Sequence, residues 1–426
     1  MAAGATLLPF TAASASRVPG ANDTLRIGVI GCGARGTELI GDLLSRRNNA
    51  VPIRIAAVCD ICEPHRARAE SLASADAARY WQDLVEQRDL DAIIVAAPDH
   101  HHAAMSIAAM ESGKDIYCEK PMTLRLEEAR AFRDAAVCTG RIVQIGAQET
   151  SEPQWHLAHD IIRSGAIGAT VWCQGSYRPS PAAAQWDRPV LKSVRFAGLD
   201  WDGFRGASPE RRFDPDRYLN WRKYWDYSNG IAGETFYHKL AALLIAVGSA
   251  FPERVSAAGG IYVRDGREVP DSFVMTAEYP GGRTIVLASS MTNRNGLPAV
   301  IRGREASLEF CGRFVKIVTA NGASEKLGRF PISGRSIDAS DEAGNREASH
   351  FSERKCETTP RPDHLDNWLR CIRSREKCVC NEEIGYQTMA AVAMAVESYR
   401  TGKTLSFDGT TGHITPSGAK NHPLIA

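Results

Sequence analysis

The chain is short of several features that mark other classes of protein. Charge of one sign is not in excess, since 51 lysines and arginines stand against 50 aspartates and glutamates with no run of like charge. The basic stripe that nucleic acid requires is therefore missing, and no nucleic-acid partner is expected. No apolar run approaches the roughly 20 residues that cross a bilayer as a helix. The eleven cysteines give no disulfide framework, because their number is odd and their spacing scattered; Cys378 and Cys380 are two apart, not the C-x-x-C of a redox or zinc site. Residues 1–22 also lack something: they read as the apolar back half of a secretory signal, with Ala13-Ser14-Ala15 as an A-x-A cleavage site, but without a charged leading region. Export to a periplasmic or external site is the expectation. The alternative is a disordered alanine-rich arm on a cytoplasmic protein.

What is present is organised around Thr24 to Leu44. Ile27, Val29 and Ile30 form a short β-branched run bounded by glycine, the pattern of a buried parallel strand. Gly31, Gly33 and Gly36 then make G-x-G-x-x-G, followed at once by a helix with Leu39, Ile40, Leu43 and Leu44 on one face. The first glycine suits a tight turn, the second a close approach of backbone to a pyrophosphate, the third close packing of helix on strand. The helix start at Ala34 and Arg35 aims free amides at that turn. The next strand, over 53–58, leads to Asp60, where an acid can bind an adenosine ribose. No arginine follows directly to neutralise a 2′-phosphate, so NAD is expected over NADP, with Arg66 and Arg68 as the reservation. Dinucleotide binding is the reading of this stretch.

Strand and helix go on alternating. A strand over 92–96 ends at Ala97 and Pro98, and Asp99-His100-His101-His102 follows. Three successive histidines diverge and do not make a metal site by themselves, so no metal is expected. The segment reads instead as a loop at the carboxyl edge of the sheet, over the cofactor crevice, with Ala97, Pro98 and His102 as contacts. A second such tip, Glu119-Lys120-Pro121, follows the strand over 115–118.

The ordered segments GVIGCGARG, AAVCD, DAIIVAAPDHHH, GKDIYCEKP and VQIGAQ resemble the Gfo/Idh/MocA family of nicotinamide-dependent oxidoreductases, over roughly Leu25 to Phe407. The resemblance implies a Rossmann domain, residues 23–147, and a substrate-binding α/β domain, residues 148–426, on an open, largely antiparallel sheet. It places Lys120 beside the nicotinamide and the substrate hydroxyl, Glu119 and Gln148 near the cofactor, and a histidine of the second domain in proton transfer. In the family's D-x-x-x-H pattern Glu234 takes the acid position and His238 the histidine; Lys239 and Ala241 depart from the usual H-x-x-D, and Glu149-Thr150 from a frequent Arg-Arg. Glu234 is left as the carboxylate available to orient His238. Relatives often oligomerise through the sheet, which makes a homo-oligomer the expectation.

The second domain opens with a helix over 155–163 and a strand over 171–177, then an aromatic-rich insertion from Asp200 to Tyr227. Trp201, Phe204, Tyr218, Trp221, Tyr224, Trp225 and Tyr227 far exceed the 8% aromatic content of the whole chain. With Arg222 and Asp226 among them they suit carbohydrate, whose ring faces stack on aromatics while its hydroxyls take charged partners. Trp221, Arg222, Asp226, Glu234, Tyr237 and His238 are the substrate candidates. Period-two strands are expected over 257–263, 273–279, 284–290, 300–304 and 307–310, a polar surface excursion over 326–355, helices over 363–374 and 385–401, and a loop after Phe407. The function expected is oxidation of a secondary hydroxyl of a sugar or glycoside, with Lys120 and His238 as acid–base groups and NAD tightly held and recycled. Two rival readings remain: an NAD-dependent glycosidase working by transient oxidation and elimination, and a non-catalytic dinucleotide-binding sensor.

Overall fold

The computed structural model describes residues 24–46, 51–176, 186–190, 199–292, 295–320, 336–338 and 351–418. The expected leader lies outside them. Six short strands, β1 Leu25–Ile30, β2 Ile53–Cys59, β3 Asp76–Ala78, β4 Ala92–Val95, β5 Asp115–Glu119 and β6 Val143–Gly146, form a sheet in the order β3-β2-β1-β4-β5-β6. Every pairing is parallel. Strands buried on both faces explain the continuous apolar runs, such as the fully buried Ile93, Ile94 and Val95. The strand order reverses between β1 and β4, so their carboxyl ends open a crevice.

The second sheet has eleven strands: β7 Thr170–Gly175, β8 Arg254–Gly260, β9 Ser272–Tyr279, β10 Arg283–Ser290, β11 Val300–Gly303, β12 Ser307–Cys311, β13 Phe314–Ala320, β14 Ser336–Asp338, β15 Phe351–Glu357, β16 Leu405–Asp408 and β17 His413–Pro416. Its order is β14-β15-β13-β12-β11-β7-β10-β9-β8-β16-β17, antiparallel except where β7 meets β10. Three sequence expectations are corrected here. The strand placed over 257–263 ends at Gly260, because the Asp271 carboxylate accepts from the amides of Tyr262, Val263 and Arg264 and takes them out of the ladder. The tail after Phe407 is not a loop: Asp408 accepts from the amides of Thr410 and Thr411, closing a turn that returns the chain as β17. Within the polar excursion, β14 and β15 add to the sheet edge beside β13; residues 326–335 and 339–350 lie outside the described set.

Packing crosses the boundary at residue 147. Helix His364–Ser374 belongs by packing to the first domain: Leu365, Trp368, Leu369 and Ile372 share a core with Leu25, Ile27, Val29, Ile94 and Tyr117. The Trp368 and Tyr117 rings meet edge-on at 5.6 Å. Polar contacts fix its register: Gln144 donates to the His364 carbonyl at 3.1 Å and to Asn367 at 3.2 Å, and Arg375 donates to Asp115 at 2.6 and 3.1 Å. Helix Glu382–Thr401 follows, buried along most of its length, and lies between helix Leu126–Thr139 of the first domain and β8 of the second. The two domains thus share one buried core. Trp368→Ala should lower the unfolding free energy by about 3–5 kcal/mol in urea titration, whereas a loss under about 1 kcal/mol would mean that this helix does not hold the first sheet.

Candidate active site

The glycine turn after β1 has the shape of an anion cradle. Gly31 sits at φ +86°, and a Cβ there would lie 2.6 Å from backbone atoms of Ala96 and Ala97. A Cβ on Gly36 would come within 1.9 Å of the Gly31 carbonyl oxygen. At Gly33, by contrast, a Cβ would meet nothing within 4 Å. Two glycines therefore let strand and helix close on each other, while the third leaves open space over the turn. Helix Ala34–Ser45 begins at Gly33 with no side chain capping it, so its first amides remain available to a pyrophosphate. A nicotinamide dinucleotide fits this arrangement. At the end of β2, Asp60 accepts from the amides of Cys32 and Cys62, each at 2.8 Å, and is thereby aimed into the crevice. His65 lies 3.6 Å from it, and its pKa is raised to about 9 by hydrogen bonds to Asp60 and Cys62. A cation beside Asp60 was expected, if at all, from Arg66 or Arg68. Their guanidinium groups instead donate to the Asp60 and Cys32 carbonyls.

The tips of β4 and β5 carry the rest. Glu119 accepts from Arg35 at 2.8 Å and from Gln148 at 3.3 Å, so three residues assigned to the cofactor form one hydrogen-bonded group. Lys120 follows, with its Nζ 2.8 Å from Glu234 Oε2 and 3.3 Å from the Glu234 carbonyl. Arg222 donates to the same Oε2 at 2.9 Å while lying 4.0 Å from the Trp221 ring. Glu234 is presented by a widened, π-helical turn, Ala232–Phe236, that runs into helix Tyr237–Val247. Such turns interrupt regular helical bonding and recur at functional sites. His238 stands one turn further along, 8% exposed. Burial, and then the neighbouring Lys120 charge, hold its pKa well below the ordinary histidine range, so the ring is neutral. The carboxylate foreseen as the orienter of His238 is engaged, through Oε2, by two cations.

Several sequence assignments are corrected by geometry. His102 is 1% exposed and has both ring nitrogens on main-chain carbonyls, Pro121 at 2.7 Å and Ala97 at 2.8 Å; it clamps the two tips together and has no nitrogen left for a cofactor. His100 and His101 both contact the Phe204 carbonyl at 2.7 Å, tying the insertion to the first domain. Tyr237 is fully buried and donates to the Gly385 carbonyl at 3.0 Å, which removes it from the substrate set. Asp226 belongs to a separate ion network, accepting from Arg211 at 2.8 Å and Arg217 at 3.1 Å. Much of the aromatic density is packing: Phe204 meets Trp201, Tyr218 and Tyr227 at 5.0–5.4 Å between ring centres. Trp221 and Arg222 remain beside Glu234.

Two features escaped the sequence reading. Lys239 and Glu149, both departures from the family pattern, pair with each other at 2.7 Å, so one substitution answers the other. Asp99, passed over beside the histidines, is buried against Glu234. Its position between Pro98 and a polar run at a carboxyl-edge tip was the available signal.

A family model described as an oxidoreductase family, NAD-binding Rossmann fold, matches residues 25–147, and its C-terminal alpha/beta partner matches residues 190–407. An inositol 2-dehydrogenase of Saccharopolyspora erythraea is 33% identical over 159 residues, 36% of this chain and 45% of that protein. Another, from Salmonella typhimurium, is 28% identical over 170 residues, 39% of this chain and 49% of that protein. The chain thus spans about half the length of these curated relatives. Among solved structures, levoglucosan dehydrogenase in complex with NADH and levoglucosan aligns with a TM-score of 0.67 at 18% identity, over 90% of this chain and 99% of the other. The WlbA dehydrogenase of Bordetella pertussis, in complex with NADH and UDP-GlcNAcA, gives 0.64 at 18%, over 91% and 99%. At that identity the likeness speaks of fold. The chain belongs to the Gfo/Idh/MocA oxidoreductase family, and its first domain is that family's NAD-binding Rossmann fold.

Proposed function

We propose that this chain is an NAD-dependent dehydrogenase acting on a secondary hydroxyl of a sugar, glycoside or related polyol, with the cofactor held through the catalytic cycle. The observation that carries the reading is the buried Lys120–Glu234–Arg222 cluster, with neutral His238 one helical turn on, at the carboxyl edge of the cofactor sheet. Bound NAD would supply the hydride acceptor. The chain's own residues would do the rest. Lys120 Nζ holds the substrate hydroxyl and exchanges its proton, and Glu234, itself held by Arg222, takes two of the lysine's three N–H groups and leaves the third for the substrate. His238, neutral because it is buried, is able to accept a proton without first losing one. The half-buried ring of Trp221 and the guanidinium lying over it suit the apolar face and hydroxyls of a carbohydrate. Inositol and levoglucosan, the compounds in the names of similar proteins, are apt first probes.

Two further proposals rest on that reading. Val171, Trp172 and Val274 stand exposed on the second sheet and suit contact with another copy of the chain. If residues 1–22 direct export, free dinucleotide would be scarce at the site of action. The cofactor would then have to stay bound and be recycled, by a second carbonyl substrate or by a redox-neutral glycosidase cycle.

Lys120→Ala and His238→Ala should each retain NAD binding and lose turnover by about 10²–10⁴-fold, measured as NADH formation with inositol, levoglucosan and a glycoside panel. Near-normal turnover in either variant would remove that residue from the chemistry. Cleavage of a chromogenic glycoside without net NADH would move the wild type to the glycosidase reading, and silence of the wild type on every probe would contradict the dehydrogenase. Native mass spectrometry of protein from its natural host should give an oligomer that carries NAD and begins after Ala15. A bare monomer retaining Met1 would contradict retention, assembly and export alike.

A further inference from the structure

The bonds around Glu234 are unevenly distributed. Lys120 and Arg222 both donate to Oε2, while Oε1 is buried with no hydrogen-bond partner. Beside it stands Asp99, 1% exposed, within hydrogen-bonding reach of Glu234 and with its own Oδ2 buried and unpartnered. Neither cation donates a hydrogen bond to Asp99. Two ionised carboxylates at this separation in a dry site repel each other, and each would leave an oxygen without a donor. One proton between them removes both penalties, since a carboxylic acid is at once a donor and a neutral neighbour.

We propose that Asp99 holds a proton shared with Glu234, so that Lys120, Glu234 and Asp99 form a line that takes up and returns the hydroxyl proton of the substrate. This rests on the dehydrogenase reading above. In the reducing direction the Lys120 ammonium would give a proton to the carbonyl oxygen, the hydride being what bound reduced NAD would supply. The amine left behind is refilled from Asp99 through Glu234, and Asp99 ends as a carboxylate. Oxidation would run the same moves backwards: an ionised Asp99 draws a proton from Lys120 through Glu234 and the amine takes the hydroxyl proton, bound oxidised NAD being the hydride acceptor. Asp99 acts through Lys120 and is a positioning residue for protons, without contact to the reacting carbon.

The electrostatics agree with the geometry. Burial, followed by the Glu234 charge, pushes the Asp99 pKa well above the usual carboxylate range, with Lys120 and Arg222 opposing less strongly. The other titratable neighbours are the Cys118 thiol, pushed up by burial, and His100, His101 and His102, whose pKa values burial holds down. None of these supplies a compensating cation.

The test needs no substrate in its first arm. An Asp99 that is protonated in the folded protein and ionised in the unfolded one makes folding take up a proton. Wild-type stability must then fall as pH rises above the ordinary aspartate value, about 3.9, towards the raised value in the fold. Asp99→Asn has no such proton to bind. The difference in melting temperature, Asp99→Asn minus wild type, should therefore grow steadily from pH 5 to pH 8. A difference that is constant or shrinks with pH would overturn the proposal. If Asp99→Asn does not fold, Asp99→Ser serves in its place. Should both fail, the infrared band of a protonated carboxyl in the wild type, bleaching as pH rises, supports the proposal and its absence overturns it. In the second arm, NAD-linked turnover of inositol or levoglucosan should show kcat lowered by about 10²-fold in Asp99→Asn with KM unchanged. An unchanged kcat would leave Asp99 a structural acid and refute the relay. Failure of every probe substrate in the wild type would strike the dehydrogenase reading and leave the stability arm to decide the proton.

Discussion

The ion pair between Lys120 and Glu234 is the contact on which the site depends. One partner sits at the tip of a strand of the cofactor sheet and the other at the start of a helix under the second sheet, with side chains only 12% and 6% exposed. Removing two charges from water costs several kcal/mol each, and a single pairing seldom offsets it. The surroundings read as an answer to that cost. Arg222 supplies a second donor to Glu234, the Glu234 carbonyl a second acceptor to Lys120, and Asp99 lies against the same carboxyl. A pair of this kind fixes direction more than it adds stability. It holds a lysine amine at a set place beside an open glycine cradle, and it makes the position of the second domain a condition for the chemistry of the first.

The joint between the domains is built to keep that condition. His102 bridges the two strand tips, His100 and His101 grip the Phe204 carbonyl of the insertion, and helix His364–Ser374 returns from the end of the chain to cover the first sheet. None of these contacts is chemical in purpose, yet the grip on Phe204 ties the insertion that carries Arg222 to the strand tips. The Lys239–Glu149 pair is a further instance: Lys239 replaces the histidine expected after His238, Glu149 replaces an expected arginine, and together they form a new ion pair near Trp155.

Much of the first domain was legible because its signals are local. A β-branched run, three glycines and an amphipathic helix are adjacent in sequence, and the structure shows a steric reason for Gly31 and Gly36 and open space at Gly33. The acid after β2 and the lysine after β5 were found by the same alternation. What was not legible depends on partners far along the chain. Nothing in the period of residues 363–374 says which sheet that helix will cover; the answer lies in Tyr117 and Gln144, more than two hundred residues earlier. Tyr237 and His102 looked available because each is polar and near a motif, but the Tyr237 hydroxyl donates to one main-chain carbonyl and the His102 ring lies between two others, partners that no spacing reveals. The aromatic insertion misled in the opposite way. Its rings are abundant because they pack on one another, and only Trp221 with its arginine stands beside the charged cluster. Asp99 was overlooked because three histidines next to it drew the chemistry.

The account's central claim is that Lys120 and Glu234 form one electrostatic unit, and a double-mutant cycle on unfolding free energy measures it directly. Lys120→Met, Glu234→Gln and the double variant should show strong non-additivity, a coupling of about 1–3 kcal/mol, because Glu234→Gln leaves the buried Lys120 charge without its carboxylate and Lys120→Met leaves Glu234 with Arg222 alone. Additivity within about 0.5 kcal/mol would contradict the claim, for it would mean that each charge is accommodated independently and that the two domains do not meet through this pair.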